Sequence, residues 1–314
     1  MDGMRNWTAE DMPDQNGRTV VITGANSGLG LHSAYALAAK GAHLLLACRS
    51  PERGARAVDQ VRTTAPRAKV ELVRLDLGDL ASIRAAAEDI RERAGDRVHV
   101  LMNNAGVFCP PLGRTADGFE TQMGVNHLGH AALTWLLMPA LRQSPDARVV
   151  TLSSLAHRRT TLNLDDLNYE RRRYNAFAGY GEAKLANLMF AQELDRRLSA
   201  ADLDVRSLAA HPGLTDTELG ANGGRARKNK VLELGVTLFN KVATMRPERG
   251  VLSQLYAATA PEVRGGQYYG PAGAGEVWGG PGLAACSPES QDLAVAARLY
   301  ERSGELTGIA PDPA

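Results

Sequence analysis

Cysteine is scarce: Cys48, Cys109 and Cys286 lie far apart in 314 residues and form no CxxC pair. That usage excludes a disulfide framework and the thiolate sets of zinc sites. Charge of one sign is missing too. The formal net charge is +1, so no global field draws nucleic acid or an anionic membrane. One short basic cluster, Arg225, Arg227, Lys228 and Lys230, sits beside glycines and reads as a solvated loop. Long hydrophobic runs are also absent. The N-terminal MDGMRNWTAEDMPDQNG has no apolar core of signal-peptide length. The stretch AALTWLLMPAL (131–141) is too short to span a bilayer and contains a proline. The expectation is a soluble, cytoplasmic protein with no nucleic-acid or membrane partner and no metal.

What is present is ordinary for a globular chain, 44% hydrophobic and 23% charged. Apolar runs rich in Val, Ile and Leu alternate with helical patterns. TVVIT (19–23) precedes a helix over about 28–40, and HLLLACR (43–49) precedes one over about 52–64. VELVRLD (70–76) leads into DLASIRAAAEDIRERAG, and VHVLMNNAG (98–106) into a long helix over about 116–143. ARVVTLSS (147–154) is followed by a polar, loop-like insert (155–179), a helix over about 180–200, and DVRSLAAHPG (204–213). Short strands separated by helices imply βαβ crossovers, hence an α/β, doubly wound parallel sheet with helices on both faces. Ligands are expected at the strand C-termini. The segment 218–250 joins a glycine hinge, ANGGR, to an apolar stretch and reads as a substrate-covering lid. No linker marks a second domain. The expected organisation is one domain: an N-terminal extension (1–17), a Rossmann core (18–217), the lid (218–250) and a C-terminal part (251–314).

TGANSGLG (23–30) places three glycines between a β-branched run and a helix, which suggests close approach of a phosphate to a helix N-terminus. The spacing of Gly24, Gly28 and Gly30 is GxxxGxG, not GxGxxG. With NNAG (103–106), SS (153–154), YGEAK (180–184) and HPGLTDT (211–217) in that order, the chain resembles the short-chain dehydrogenase/reductase superfamily over residues 18–260. TGANSGLG, ACR, NHLGH and SSLAH with a long insert resemble the subgroup of retinol dehydrogenases and protochlorophyllide reductases.

The resemblance implies a nicotinamide dinucleotide. Gly24 would permit the tight turn, Gly28 the approach of the pyrophosphate, and Gly30 the close packing of helix on sheet. Asn26, Ser27 and the backbone around Leu29 would line the phosphates. An NAD-selecting fold usually carries an acid after the second strand. Here Cys48 stands near that place and Arg49 follows; a guanidinium can grip a 2′-phosphate. NADP(H) is therefore preferred over NAD(H), the alternative being Arg49 as a surface residue. Asp76 and Leu77 would meet the adenine, unless Asp76 caps the next helix, a task that Asp79 suits better. Asn104, Ala105 and Gly106 would line the ribose side, and Pro212, Gly213 and Thr217 the nicotinamide.

Tyr180 and Lys184, at i and i+4, share one helical face. A free tyrosine has a pKa near 10; the ammonium, with a nicotinamide cation, is expected to favour phenolate and make Tyr180 the acid/base. Lys184 would also hold the nicotinamide ribose. In the family, a serine at the position of Ser154 bonds the substrate oxygen (Ser153 if the register slips by one), and an asparagine at that of Asn126 kinks its helix and helps hold a water. Ala183 departs from the serine common before the lysine. His127 and His130 lack the carboxylates or thiolates of a metal site, and His157 and His211 read as structural or pocket-rim residues.

The expected function is hydride transfer between NADP(H) and a carbonyl or alcohol of a moderately large apolar molecule. The walls would come from Val107, Phe108, Leu112, Val231, Leu232, Leu234, Leu238 and Phe239. Absence of an anchor argues against retinoid itself. The alternatives are a non-catalytic NADP-binding sensor or scaffold, and a C=C reductase. The resemblance allows a homodimer through the helices near 116–143 and 180–200, or a monomer.

Overall fold

The computed structural model describes residues 2–214 and 246–314. Thr217 and residues 218–245 of the expected lid lie outside them. The described chain forms eight strands: β1 (Thr19–Thr23), β2 (His43–Cys48), β3 (Val70–Arg74), β4 (Val100–Asn103), β5 (Ala147–Leu152), β6 (Val205–Ala210), β7 (Tyr268–Pro271) and β8 (Pro281–Leu283). Their order in the sheet is 3-2-1-4-5-6-7-8. The order reverses between β1 and β4, which opens a crevice at their C-terminal ends.

Alternate residues of the apolar strands feed two cores. Val20, Ile22, Leu44 and Leu46 pack with Leu37 of α1 (Gly28–Ala39), Val58 and Val61 of α2 (Pro51–Thr64). Val21, Leu45, Leu101 and Val149 face the opposite way, onto Ile83 and Ile90 of α3 (Leu80–Ala94), Leu137 of α4 (Gly129–Arg142) and Leu194 of α5 (Ala176–Ala200). Leu255 of α6 (Leu252–Thr259) completes the first core and Tyr300 of α7 (Leu293–Thr307) the second.

The expected doubly wound parallel sheet is present through β7, and β8 of the C-terminal part is added antiparallel to it, because residues 272–280 join them as a turn and not a helical crossover. Three expectations are corrected. The helix expected from 116 begins at Thr121, where buried Glu120 accepts from the Gln122 and Met123 N–H groups at 2.9 and 2.8 Å. Gly118, with φ +86°, and the Arg114–Glu120 bridge form a turn before it. α5 begins at Ala176, a turn earlier than expected, because the Asn175 side chain caps the Phe177 and Ala178 N–H groups. The 155–179 insert is also no loose loop. Arg172 makes a two-point pair with Glu182 of α5 at 2.8 and 2.9 Å and reaches Asp166 at 3.2 Å, while the Tyr169 hydroxyl donates to Glu182. Both carboxylates are buried, so the insert is stapled to the helix that carries Tyr180 and Lys184.

α7 lies across α4 and α5. Trp135 donates its indole N–H to the Tyr300 hydroxyl at 2.9 Å, and Tyr300 stacks on Phe190. Ser303 bonds His127 at 2.9 Å.

Candidate active site

All the described site residues named from the sequence stand at the C-terminal edge of the sheet or on helices bordering it. After β1, Gly24 adopts φ +67°, and a Cβ there would lie 2.9 Å from Ala105. A Cβ at Gly30 would lie 2.6 Å from the Gly24 carbonyl oxygen; only glycine lets α1 start so close to the strand. Ser27 sits at the N-cap of α1 without bonding the helix through its side chain. The first-turn N–H groups at Gly28, Leu29 and Gly30 have no partners within the helix. Asn26, with its amide oxygen turned to the guanidinium, accepts from Arg53 Nη2 and Nε, both at 3.2 Å. Arg49, just past β2, is exposed.

After β3, Asp76 accepts from the Gly78 N–H at 2.9 Å, Leu77 is buried, and Asp79 is the residue that caps α3. After β4, the Thr23 hydroxyl accepts from the Asn104 and Ala105 N–H groups, both at 2.9 Å. The Asn104 amide donates to the Thr23 carbonyl at 2.8 Å, leaving its buried Oδ1 without a hydrogen-bond partner. An N-terminus with unpaired donors, a glycine-lined approach and an orphaned amide oxygen fit a dinucleotide along this crevice.

The remaining residues converge beside Gly106, where a Cβ would lie 3.2 Å from Asn126 Oδ1 and 3.8 Å from Lys184 Nζ. Asn126 sits in a single π-helical turn, Gly124–Leu128, between Met123 and α4. Its side chain holds the Val107 backbone at both ends, accepting at 2.7 Å and donating at 3.0 Å. Lys184 is buried and donates to the Leu152 carbonyl at 3.0 Å. Burial pulls its pKa down to about 8. Ser153 is buried, its hydroxyl donating to the Lys184 carbonyl at 2.8 Å. Ser154 is instead the serine whose hydroxyl lies beside the Tyr180 phenol and favours its ionised form. The Lys184 ammonium by itself does not lower the Tyr180 pKa. Lys184 Nζ stands 5.7 Å from the Tyr180 ring centre, and burial outweighs the neighbouring Ser154 hydroxyl, pushing the phenol up to about 12.

The histidines are occupied by hydrogen bonds. His130 bridges the Thr23 hydroxyl and the Asn126 carbonyl, both at 2.9 Å, and burial pulls its pKa to about 3. His127 bridges Asn187 and Ser303. Among the described residues, no group of three His, Cys, Asp or Glu could hold a metal, and no helix is long and apolar enough to cross a membrane.

Comparison with known proteins follows the same lines. The sequence profile of the short chain dehydrogenase family matches residues 18–228. The chain belongs to the short-chain dehydrogenase/reductase family. It is 40% identical over 296 residues to human retinol dehydrogenase 13, covering 93% of this chain and 85% of that one. Mouse polyprenol dehydrogenase is 39% identical over 258 residues, covering 81% and 75%. An uncharacterised protein of Mycobacterium paratuberculosis superposes with TM-score 0.78 at 40% identity, covering 96% of this chain and 97% of that one. More distant members of the fold have been solved with NADP and with NAD. As a short-chain dehydrogenase/reductase of the retinol dehydrogenase-like subgroup, the protein is an oxidoreductase acting on CH–OH or C=O groups.

Sequence reasoning missed three features near this site: Arg53 beside the glycine loop, the Thr23–His130 link, and Glu276 of the β7–β8 turn, which accepts from His211 and Arg158. Arg53, at i+4 from Arg49, was available in principle. The other two join residues far apart in the chain and carry no local signal.

Proposed function

We propose that this short-chain dehydrogenase/reductase is NADP(H)-dependent and acts on the carbonyl or alcohol of a moderately large apolar molecule. Tyr180 is the acid/base, with Ser154, Lys184 and Asn126 around it. The observation that carries this reading is that Lys184 stands between Gly106, which Asn126 borders, and the Tyr180 ring, with the Ser154 hydroxyl beside the phenol. The dinucleotide, when bound, supplies or accepts the hydride. In the reductive direction the Tyr180 phenol gives its proton to the carbonyl oxygen, and the Ser154 hydroxyl bonds that oxygen as charge develops. A phenol pushed up to about 12 is fully protonated at neutral pH, the form that reduction needs. The Lys184 ammonium holds the ribose and, with Asn126, borders the path of the proton. Asn104, Ala105, Gly106, Asp76 and Leu77 face the adenosine half; Pro212 and Gly213 face the nicotinamide.

The apolar substrate class rests on what surrounds the phenol. Phe108 packs edge-on against Tyr180, with ring centres 4.8 Å apart, and Phe177 follows at 5.9 Å from Phe108. Phe177 and Leu112 are exposed, as are Leu214 after Gly213 and Trp278 in the β7–β8 turn. Retinol and polyprenol, named in two relatives, are both long isoprenoid alcohols. NADPH oxidation is to be followed with the aldehydes of retinol and of a polyprenol beside short ketones. Faster turnover of the short ketones than of either aldehyde counts against the substrate class.

NADP preference rests on Arg49, with Arg53 in the first turn of α2. A charge-assisted hydrogen bond is worth roughly 1.5–3 kcal/mol, so Arg49→Ala should reduce the NADPH-over-NADH preference about tenfold to a hundredfold. Dissociation constants of both cofactors for wild type and variant decide it. An unchanged ratio for Arg49→Ala makes that arginine a bystander.

A further inference from the structure

We propose that Glu276, in the β7–β8 turn, is a positioning residue that fixes the Ser154 turn and the His211–Gly213 loop relative to each other. The inference rests on the site reading above, because it assigns a task within that site. Glu276 Oε2 accepts from His211 Nε2 at 3.0 Å and, on the same oxygen, from Arg158 Nη2. Its Oε1 accepts from the Ala285 N–H at 2.9 Å. Each partner leads to a different wall of the site.

His211 leads to the nicotinamide side. Its Nδ1 accepts from the Gly213 N–H at 3.2 Å, so the ring proton is on Nε2 and points at the carboxylate. The imidazole is fully buried and fills the space of an absent side chain on β7, where a Cβ at Gly270 would lie 1.9 Å from Nε2. The neighbour of Glu276 continues the clamp. The Val277 carbonyl accepts from the Leu214 N–H at 3.2 Å and would lie 2.4 Å from a Cβ at Gly213, whose φ is +68°.

Arg158 leads to the serine side. It belongs to the tight turn Leu155–Arg159, which Ser154 caps. His157 locks that turn by bonding the Ser154 carbonyl at 2.7 Å through its ring. Arg158 also donates to the Ala285 carbonyl at 3.2 Å. One carboxylate thus sets the distance between the hydroxyl that meets the substrate oxygen and the loop that meets the nicotinamide. Glu276 itself holds φ +58°, a left-handed conformation that a glutamate adopts at a cost when its surroundings demand it.

The test compares NADPH with adenosine 2′,5′-bisphosphate, a fragment that occupies only the adenosine half. Both dissociation constants are measured by equilibrium titration for wild type, Glu276→Ala and Glu276→Gln. A displacement near 1 Å in a positioned site costs up to about a hundredfold. Glu276→Ala should weaken NADPH about tenfold, the worth of a hydrogen bond lost at the nicotinamide loop, and leave the fragment within about twofold. Glu276→Gln should recover part of the loss, because its amide oxygen can still accept from His211. Unchanged NADPH affinity in Glu276→Ala, or equal weakening of both ligands, overturns the proposal. If wild type binds neither ligand, the site reading itself fails, a separate result. Should Glu276→Ala not fold, Arg158→Gln breaks the serine arm alone. It should lower kcat on the best aldehyde about tenfold with NADPH affinity unchanged, and an unaltered kcat overturns that arm.

Discussion

Replacing Tyr180 with phenylalanine should lower turnover at least about a hundredfold, the usual worth of general acid–base catalysis, while NADPH still binds. The phenol stands edge-on to Phe108, with the Ser154 hydroxyl beside it. Loss of one oxygen therefore removes the proton donor and leaves the aromatic packing in place. Titration of NADPH and single-turnover reduction of the best aldehyde separate the two effects. Near-normal turnover in Tyr180→Phe would remove the tyrosine from the chemistry. Weak NADPH binding with normal turnover at saturation would make it a binding group instead.

Lys184→Met should both stabilise the fold and impair its use. The ammonium is buried, and its pKa falls from 10.5 to about 8. The native state therefore binds fewer protons than the unfolded chain between pH 8 and 10.5, and wild-type stability gains from this group as pH rises through that window. Below pH 8 the full cost of burying the charge is present, about 3 kcal/mol at 1.36 kcal/mol per pH unit. Methionine is never charged. The variant should exceed wild type at pH 7 and lose that advantage by pH 10.5, as read from urea midpoints. The Leu152 carbonyl keeps the Asn187 amide, at 2.9 Å, so no acceptor is orphaned. NADPH affinity should fall with the ribose contact. A stability difference that does not change with pH would mean that the native lysine is not desolvated, and unchanged NADPH affinity would place it outside the ribose site.

How much of this was legible depends on the range over which each feature is encoded. TVVIT and HLLLAC announce buried parallel strands because every residue but His43 is buried. The turn after β1 is legible because its glycines answer close contacts with Ala105 and with each other. Ser154, Tyr180 and Lys184 could be named because the family pattern ties them together. The tyrosine's raised pKa could not, since burial decides it and the Phe108 ring packed against it comes from a distant part of the chain. The insert itself looked like a loop because its order comes from Arg172, Asp166 and Glu182, whose pairing has no periodic trace. Glu276 was hidden most completely. It sits in PAGAGEVWGG, and its partners His211 and Arg158 are 65 and 118 residues away. Thr23 and His130 are separated by 107 residues, and nothing local marks either as half of a link.

The seating of α7 over α4 and α5 has a consequence for how the protein responds to concentration. The helices through which the family resemblance allows two copies to meet are here engaged by residues of the same polypeptide, Tyr300 against Trp135 and Phe190, and Ser303 against His127. A neighbour joined by the backbone is present at a fixed effective concentration, whatever the number of molecules in solution. The contacts of α7 behind Asn126 and Lys184 are therefore made within one polypeptide, and these contacts do not depend on protein concentration.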